Sequence, residues 1–199
     1  MKLVHRLSAG FLLLILISSC ASNYIPVGGE GLQIIDDAYL LRDDNTELIA
    51  LSRYWTREPT NLNDYFTTFY VSVKNLSGEK MQIDPTDFAL LDQNGNQSDP
   101  LSIIQIEDIL LNEQLQYLII SNIEETDEDS FVDMPDTDTN SDILEEWRRS
   151  KRNLIRDSFT FGDIFPQAKK AGYLFFPKVS IKNDELTLLY RDHSLKFRR

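Results

Sequence analysis

The stretch that decides the fold is Tyr65-Phe66-Thr67-Thr68-Phe69-Tyr70-Val71-Ser72-Val73-Lys74-Asn75. It is rich in β-branched and aromatic residues and contains neither glycine nor proline, which is typical of a β-strand. Successive side chains of a strand point to opposite faces. The odd positions, from Tyr65 to Val73, are therefore predicted to form one buried face, and the even positions, from Phe66 to Lys74, the other.

Short β patterns lie on both sides of this strand. On its N-terminal side we predict strands over residues 32–41 and 47–55. On its C-terminal side the predicted strands are 80–84, 88–92, 159–161, 173–179, 185–190 and 195–197. Turn signals separate them, and Asn94-Gly95 is a strong one because both residues tolerate positive φ. About eight short strands in this arrangement predict a mainly β domain, a β-sandwich.

Residues 102–157 have a different character and are predicted to be an insertion that carries one or two helices. Residues 101–123 fit either a helix or a strand. Residues 124–142 contain nine acidic residues and no basic one, which is typical of a solvated loop. A helix is predicted to follow, because Asp142 and Glu145 form a candidate capping box and basic residues lie toward the helix C-terminus.

Four segments together resemble the immunoglobulin-like domains of bacterial lipoproteins and secreted proteins. They are Phe69–Asn75, which ends in Val-x-Val-x-Asn, then Ile83–Gly95, Gly172–Pro177 and Leu186–Tyr190. The resemblance implies an immunoglobulin-like β-sandwich over residues 32–199, from which this chain departs by its helical and acidic insertion. The family has no shared catalytic residues to carry over.

The first twenty residues have the order of a secretory signal peptide. Lys2, His5 and Arg6 precede an uncharged apolar run over residues 7–17, and Ser18-Ser19-Cys20 follow. A basic start, a short apolar run and small residues at its end are the signature of a removed signal peptide. The run is shorter than the ~20 residues of a membrane-spanning helix. We therefore predict that residues 1–19 are cleaved.

The end of this segment, Ile17-Ser18-Ser19-Cys20, resembles the lipobox of bacterial lipoproteins. The resemblance implies that cleavage occurs before Cys20 and that Cys20 carries the acyl chains of a membrane anchor. Ala21 stands at the next position, where an Asp commonly retains Gram-negative lipoproteins in the inner membrane, so Ala21 favours the outer membrane. Residues 20–31, rich in small residues and glycine, are predicted to be a flexible tether.

The overall composition excludes several classes of function. The chain has 32 acidic and 20 basic residues among 199 and a net charge of −12, which argues against binding to a nucleic-acid backbone. It has a single Cys and two His residues, so Cys- or His-rich zinc sites are not expected. His193 and the carboxylate pair Asp84 and Asp87 are the remaining catalytic candidates, and we interpret them as hairpin and turn residues. The protein is predicted not to be an enzyme.

Calcium is the one metal that the sequence favours. Oxygen ligands alternate from Asp136 to Asp142, as they do at the start of an EF-hand loop. The candidate ligands are Asp133, Asp136, Asp138, Asn140 and Asp142. However, Ser141 stands where such a loop needs glycine and Trp147 where it needs glutamate. A solvated acidic loop without a cofactor is the favoured interpretation, and a calcium or small-ligand site in loop 124–142 is the alternative.

The basic cluster after this loop has two interpretations. Arg148, Arg149, Lys151 and Arg152 are either an interaction surface for a partner or for anionic headgroups, or they pair with carboxylates of the same domain and complement the helix dipole. Tyr54 and Trp55 likewise fit either a binding edge or a buried strand. The sequence as a whole predicts an envelope lipoprotein, attached to the membrane through Cys20, that faces the periplasm or the cell surface. It would act as a binding or assembly module for another envelope protein.

Overall fold

The computed structural model describes residues 24–28, 32–111 and 137–199, and for residues 137–144 it describes the backbone alone. The strands are β1 (Ile25–Pro26), β2 (Gln33–Ile35), β3 (Ala38–Arg42), β4 (Thr46–Ser52), β5 (Phe66–Asn75), β6 (Met81–Ile83), β7 (Phe88–Asp92), β8 (Gln97–Ser98), β9 (Gly162–Ile164), β10 (Lys169–Pro177), β11 (Glu185–Tyr190) and β12 (His193–Arg198). The helices are α1 (Leu62–Tyr65), α2 (residues 103–111) and α3 (Thr137–Asp157), with a single 3₁₀ turn at Pro85–Asp87.

These strands form two five-stranded antiparallel sheets and one small one. Sheet I has the order β1-β12-β11-β7-β8, and sheet II has the order β10-β5-β4-β3-β2. Sheet III consists of β6 and β9. The prediction of a mainly β protein with a sandwich of sheets is confirmed, while its immunoglobulin-like identity stays a prediction.

The main core lies between sheets I and II. Phe69 of β5 and Phe197 of β12 meet with their ring centroids 5.0 Å apart, and Tyr39 of β3 contacts the same Phe197 ring at 5.1 Å. All three side chains are fully buried. Aromatic rings in such edge-to-face contacts stabilise a pair beyond the effect of area alone. The alternation in β5 therefore places Phe69, Val71 and Val73 in the core, as the pattern predicts.

A second core lies on the outer face of sheet II. There Phe66 of β5 and Tyr173 and Phe175 of β10 pack with Trp55 and with apolar residues of the helices, namely Leu62, Ile106, Leu110 and Leu154. The helices between β8 and β9 thus cover one end of this face. Because of them β5 buries side chains on both of its faces at that end. None of the helices in the described part of the chain is long and apolar enough to cross a membrane.

Several predicted element boundaries are wrong. The single strand predicted over 32–41 is a hairpin of β2 and β3, because Asp36 has a φ of 55° and turns the chain. The strand predicted over 159–161 lies at β9, three residues later. Helix α3 starts at Thr137, so Asp142 lies within the helix and is not its N-cap.

The predicted tether of residues 20–31 is in part a piece of the sandwich. Ile25 and Pro26 form β1 and pair with Arg198 and Phe197 of β12. Tyr24 is buried, and its hydroxyl donates a hydrogen bond of 2.8 Å to the carbonyl oxygen of Asn183. The small residues around this segment suggested flexibility, but a buried aromatic side chain and a strand pairing hold it in place.

Candidate functional site

The predicted lipidation site and part of the predicted calcium site lie outside the described residues. These are Cys20 and Ala21 at the N-terminus and Asp133 and Asp136 in the acidic loop. The backbone at Asp138, Asn140 and Asp142 belongs to helix α3. An EF-hand-like site needs a loop wrapped around the ion, whereas the backbone here is helical, and calcium binding by the acidic segment stays a prediction. Across residues 24–28, 32–111 and 137–199 no cluster of three or more His, Cys, Asp or Glu side chains could hold a metal ion.

The predicted basic surface on α3 is paired within the domain. Arg149 contacts Glu58 at 3.2 Å and Lys151 contacts Glu107 at 3.1 Å, so both link the helix to other segments. Arg148 and Arg152 both contact Glu145, at 3.7 and 3.2 Å. The hydrogen bond from Arg152 holds the pKa of the Glu145 carboxyl below its usual value. This geometry is the intramolecular pairing of the second interpretation, on side chains that are still largely exposed.

The remaining catalytic candidates have structural roles. A side-chain oxygen of Asp87 accepts a hydrogen bond of 2.9 Å from the backbone N–H of Asp84, and this contact closes the 3₁₀ turn. Asp87 also pairs with Arg191 at 3.3 Å. His193 opens β12 in the hairpin after β11 and pairs with Tyr190. Trp55 is only 2% exposed, so it belongs to the second core and not to a binding edge.

The feature that stands out as a binding surface is the outer edge of β2. Gln33, Ile34 and Ile35 are all exposed, and the two isoleucines are 40% and 54% exposed. β2 is the last strand of sheet II. No other strand in the described part of the chain pairs with its outer side. Such an edge presents unpaired backbone groups and is a ready template for another strand.

The geometry of the hairpin identifies the free backbone groups. Ile35 and Ala38 flank the two-residue turn Asp36-Asp37 and face each other in the register. The residues that flank a two-residue turn form a hydrogen-bonded pair, and the next pair along is not bonded in this way. The N–H and C=O of Ile34, which faces Tyr39, therefore point away from β3 toward the open edge.

The opposite edge of sheet II is covered by the chain itself. There the carbonyl oxygen of Tyr173 in β10 accepts a hydrogen bond of 2.8 Å from the N–H of Phe159. The carbonyl oxygen of Phe175 in the same strand accepts one of 2.7 Å from the N–H of Leu101. Leu101 and Phe159 stand on either side of the helical segment. The residues on both sides of the insertion thus bond to the longer edge, and among the described residues β2 is left as the open edge of sheet II.

An apolar strip continues from β2 across the outer face of sheet II. Leu48 and Ala50 of β4 point into the core, so Ile49 and Leu51 point outward. In the register Leu40 stands beside Ile49, and Ile35 lies on the same face. Ile49 is 36% exposed, although it lies in the middle of a sheet. Exposed apolar strips of this kind mark interaction surfaces in soluble domains.

The charge around this edge is strongly negative. Between residues 32 and 52 the chain has five acidic residues, Asp36, Asp37, Asp43, Asp44 and Glu47, and a single basic one, Arg42. Arg42 contacts Glu47 at 3.8 Å, which leaves the aspartates of the two turns at either end of β3. A partner that carries basic residues beside its apolar ones would match this surface.

A groove of about 390 Å³ lies between the turn after β7 and the segment that follows β10. Its polar groups mainly hold its own walls together. The Asp92 carboxylate accepts hydrogen bonds from the side chain of Asn96 and from backbone N–H groups of the turn, and these bonds lower the pKa of Asp92. Gln93 accepts a hydrogen bond of 3.1 Å from the N–H of Asp184. Several polar groups that line the groove are therefore already bonded to one another and are not free to bind a ligand.

Comparison with protein-family models, with curated proteins and with solved structures found no match.

Proposed function

We propose that this protein is a lipid-anchored lipoprotein of the bacterial cell envelope and that its domain is a non-enzymatic binding module for another envelope protein. The anchor is proposed from Cys20 and the segment before it, and Ala21 favours the outer membrane. The observation that supports the binding role is the open edge of β2, with Ile34 and Ile35 exposed beside an apolar strip.

The partner would bind by adding a strand to sheet II. In this mode the backbone groups of Ile34 pair with an extended segment, and alternate side chains of that segment contact the apolar strip. The acidic residues of the β2–β3–β4 region favour a segment with Lys or Arg beside its apolar residues. They disfavour a second copy of this chain, which would bring two acidic edges together.

The anchor adds to this mechanism by confinement. A domain held at a membrane meets other membrane-attached partners at a raised effective concentration. A short edge strand that binds weakly in solution is then sufficient. The module would keep its partner at the membrane and carry out no chemistry on it.

Photocrosslinking in living cells tests the proposed contact. A photoreactive amino acid is placed at position 35 in the full-length, lipidated protein, and the captured protein is identified by mass spectrometry. The test variant is Ile34→Pro, which removes the outward N–H and leaves the β2–β3 pairing intact, because proline is tolerated on the free side of an edge strand. The matched control is Ile34→Val, which keeps the N–H and the branched side chain.

We expect one envelope protein to be captured by the parent and by Ile34→Val, and at least a tenfold loss of capture with Ile34→Pro. Equal capture by both variants would contradict strand addition at β2. A captured product that consists of two copies of this chain would contradict the proposed partner class.

The anchor has a separate test. Cys20→Ser is expected to leave the precursor uncut or to release the protein from the membrane fraction, whereas Ala21→Ser keeps the lipidated form. A Cys20→Ser protein that still fractionates as a processed, acylated lipoprotein would show that Cys20 is not the anchor.

A further inference from the structure

Tyr24 determines which surface of the domain lies nearest the proposed anchor. This residue is 6% exposed, and its hydroxyl donates to the Asn183 carbonyl at 2.8 Å. The guanidinium of Arg199 lies 4.7 Å from the centre of its ring. Tyr24 stands four positions after Cys20, and four extended residues span at most about 14 Å. A lipid on Cys20 therefore holds this end of the sandwich, here called the Tyr24 end, against the membrane.

The charge at the Tyr24 end differs from that of the whole chain. Lys178, Lys182, Arg198 and Arg199 lie at this end, although the whole chain has 20 basic and 32 acidic residues. Lys178 and Arg199 line one small cleft with Tyr24, and Lys182 is exposed next to Asn183. The acidic residues near these cations include Asp64, whose charge acts on Lys178, and Asp184, whose charge acts on Tyr24. A third, Glu185, is paired with Arg198. Lys182 and Arg199 thus present positive charge beside the point where the chain leaves for its anchor.

Two exposed isoleucines accompany these cations. Ile181 is 73% exposed and Ile25 is 58% exposed. Ile181 is tied to the cluster, since its carbonyl oxygen accepts a hydrogen bond of 2.8 Å from Arg199. Basic residues beside exposed apolar side chains are the combination that lies in the headgroup region of an anionic membrane.

We infer that the Tyr24 end of the sandwich rests on the membrane, with Lys182 and Arg199 against anionic lipid headgroups and with Ile25 and Ile181 at the interface. This inference rests on the proposed anchor at Cys20. It fixes the orientation of the domain, since β5 runs from Phe66 near this end to Asn75 at the far end. Its ten residues span about 30 Å.

The test measures distance from the membrane at the two ends of the domain. Cys20 is the only cysteine of the chain, and acylation consumes its thiol. Spin labels can therefore be attached to a single new cysteine, introduced as Ile181→Cys at the Tyr24 end or as Phe165→Cys at the far end. Phe165 is 67% exposed, and its carbonyl oxygen accepts a hydrogen bond from the N–H of Ala168. The carbonyl oxygen of Ala168 accepts one from the N–H of Asn75, so Phe165 lies at the far end of β5. The lipidated protein is placed in vesicles of phosphatidylcholine and phosphatidylglycerol that contain a nickel-chelating lipid.

We expect the nickel lipid to relax the label at position 181 at least fivefold faster than the label at position 165. Lys182→Glu should reduce this ratio at least twofold, and so should vesicles without phosphatidylglycerol. Lys169→Glu, an exposed charge reversal at the far end, should leave the ratio unchanged.

Equal relaxation at the two positions would overturn the orientation. A ratio that is insensitive to both Lys182→Glu and phosphatidylglycerol would overturn the headgroup contact. A protein that is not acylated and does not bind vesicles would instead contradict the proposed anchor.

Discussion

Gly172 of β10 lies against the backbone of Phe159, so closely that a Cβ atom on Gly172 would be 2.5 Å from the Phe159 nitrogen. The same Cβ atom would be 2.7 Å from the Ser158 carbonyl oxygen. In this close approach the chain after α3 runs parallel to β10 and donates to the Tyr173 carbonyl. Glycine is needed at position 172 because there is no room for a side chain, and not because its φ is unusual.

Gly172→Ala is therefore expected to destabilise the fold. The added methyl group would push the Ser158–Phe159 backbone away from β10, and overpacking of this kind costs about 1–3 kcal/mol. Chemical denaturation measures the loss in the free energy of unfolding. Gly78→Ala is the control, because a Cβ atom there meets nothing within 4 Å. Equal stability of the two variants would show that the segment moves aside without strain.

The asparagine that ends the Val-x-Val-x-Asn motif of β5 is Asn75, and its hydrogen bonds explain why an amide side chain stands there. It is fully buried, and its side-chain N–H groups donate to the carbonyl oxygens of Glu79 at 2.7 Å and of Ile164 at 3.0 Å. Its side-chain oxygen accepts from the N–H of Ser77 at 2.9 Å. The residue thus joins β5 to the following turn and to β9.

Asn75→Ala should cost about 1–3 kcal/mol in the free energy of unfolding, because it leaves the buried carbonyl oxygen of Ile164 and the part-buried groups of Ser77 and Glu79 without their partner. The exposed Asn94 supplies a control, since Asn94→Ala on a turn surface is expected to change stability by less than about 0.5 kcal/mol. Thermal or chemical unfolding of the two variants decides between them. A loss below about 0.5 kcal/mol for Asn75→Ala would mean that water replaces these hydrogen bonds.

Two adjacent residues of α3 test how the helix packs on sheet II. Leu154 is fully buried in the second core, while Ile155 is 54% exposed. Leu154→Ala is expected to cost about 2–5 kcal/mol and Ile155→Ala less than about 0.5 kcal/mol. Denaturation curves of both variants give the comparison. Similar losses at the two positions would contradict the orientation of α3 on the sheet.

Burial of Tyr190 makes stability depend on pH in the alkaline range. Tyr190 is 1% exposed, and burial raises its pKa to about 12, whereas an exposed tyrosine has a pKa of about 10. The folded state thus holds this proton more tightly than the unfolded state. The stabilisation is fully present below pH 10 and is lost as the pH rises from about 10 to about 12.

Two pKa units correspond to about 3 kcal/mol, so the free energy of unfolding should fall steeply above pH 10. Tyr190→Phe removes the titrating group and should make the fall shallower, by about 1.4 kcal/mol at pH 11 and by the full ~3 kcal/mol only near pH 12 and above. Denaturation at pH 8, 10 and 11 measures the slopes. Parallel curves for the parent and for Tyr190→Phe would indicate that other groups, such as the buried Tyr24 and Tyr39, account for the dependence.

Local pattern was sufficient for part of the fold. β7 and β11 begin and end at the predicted residues, 88–92 and 185–190, and β5 begins only one residue late. β5 and β11 have a largely alternating pattern, and β7 is a short apolar run that ends at the Asn94-Gly95 turn. Where the local signal was ambiguous the prediction failed. Asp36-Asp37 contains no glycine or asparagine, so the β2–β3 turn was missed.

What the sequence did not reveal depends on contacts between distant segments. The burial of Phe66 and Thr68 on the second face of β5 requires the helices, which come more than thirty residues later. The sequence does not predict which strand forms the open edge of sheet II, because the order of strands in a sheet depends on contacts between distant segments. The pairing of Arg148, Arg149, Lys151 and Arg152 was one of two interpretations, and the partners Glu58 and Glu107 lie on other segments.

The unequal edges of sheet II limit the stoichiometry of any assembly built on it. A filament grows by strand addition only if each unit offers two complementary edges, so that every addition creates the next docking place. In sheet II the β10 edge already takes its hydrogen bonds from Leu101 and Phe159. A strand added at β2 therefore ends the series within this sheet. Through sheet II the protein can form one-to-one complexes but not chains of copies, so its open apolar edge does not lead to filaments.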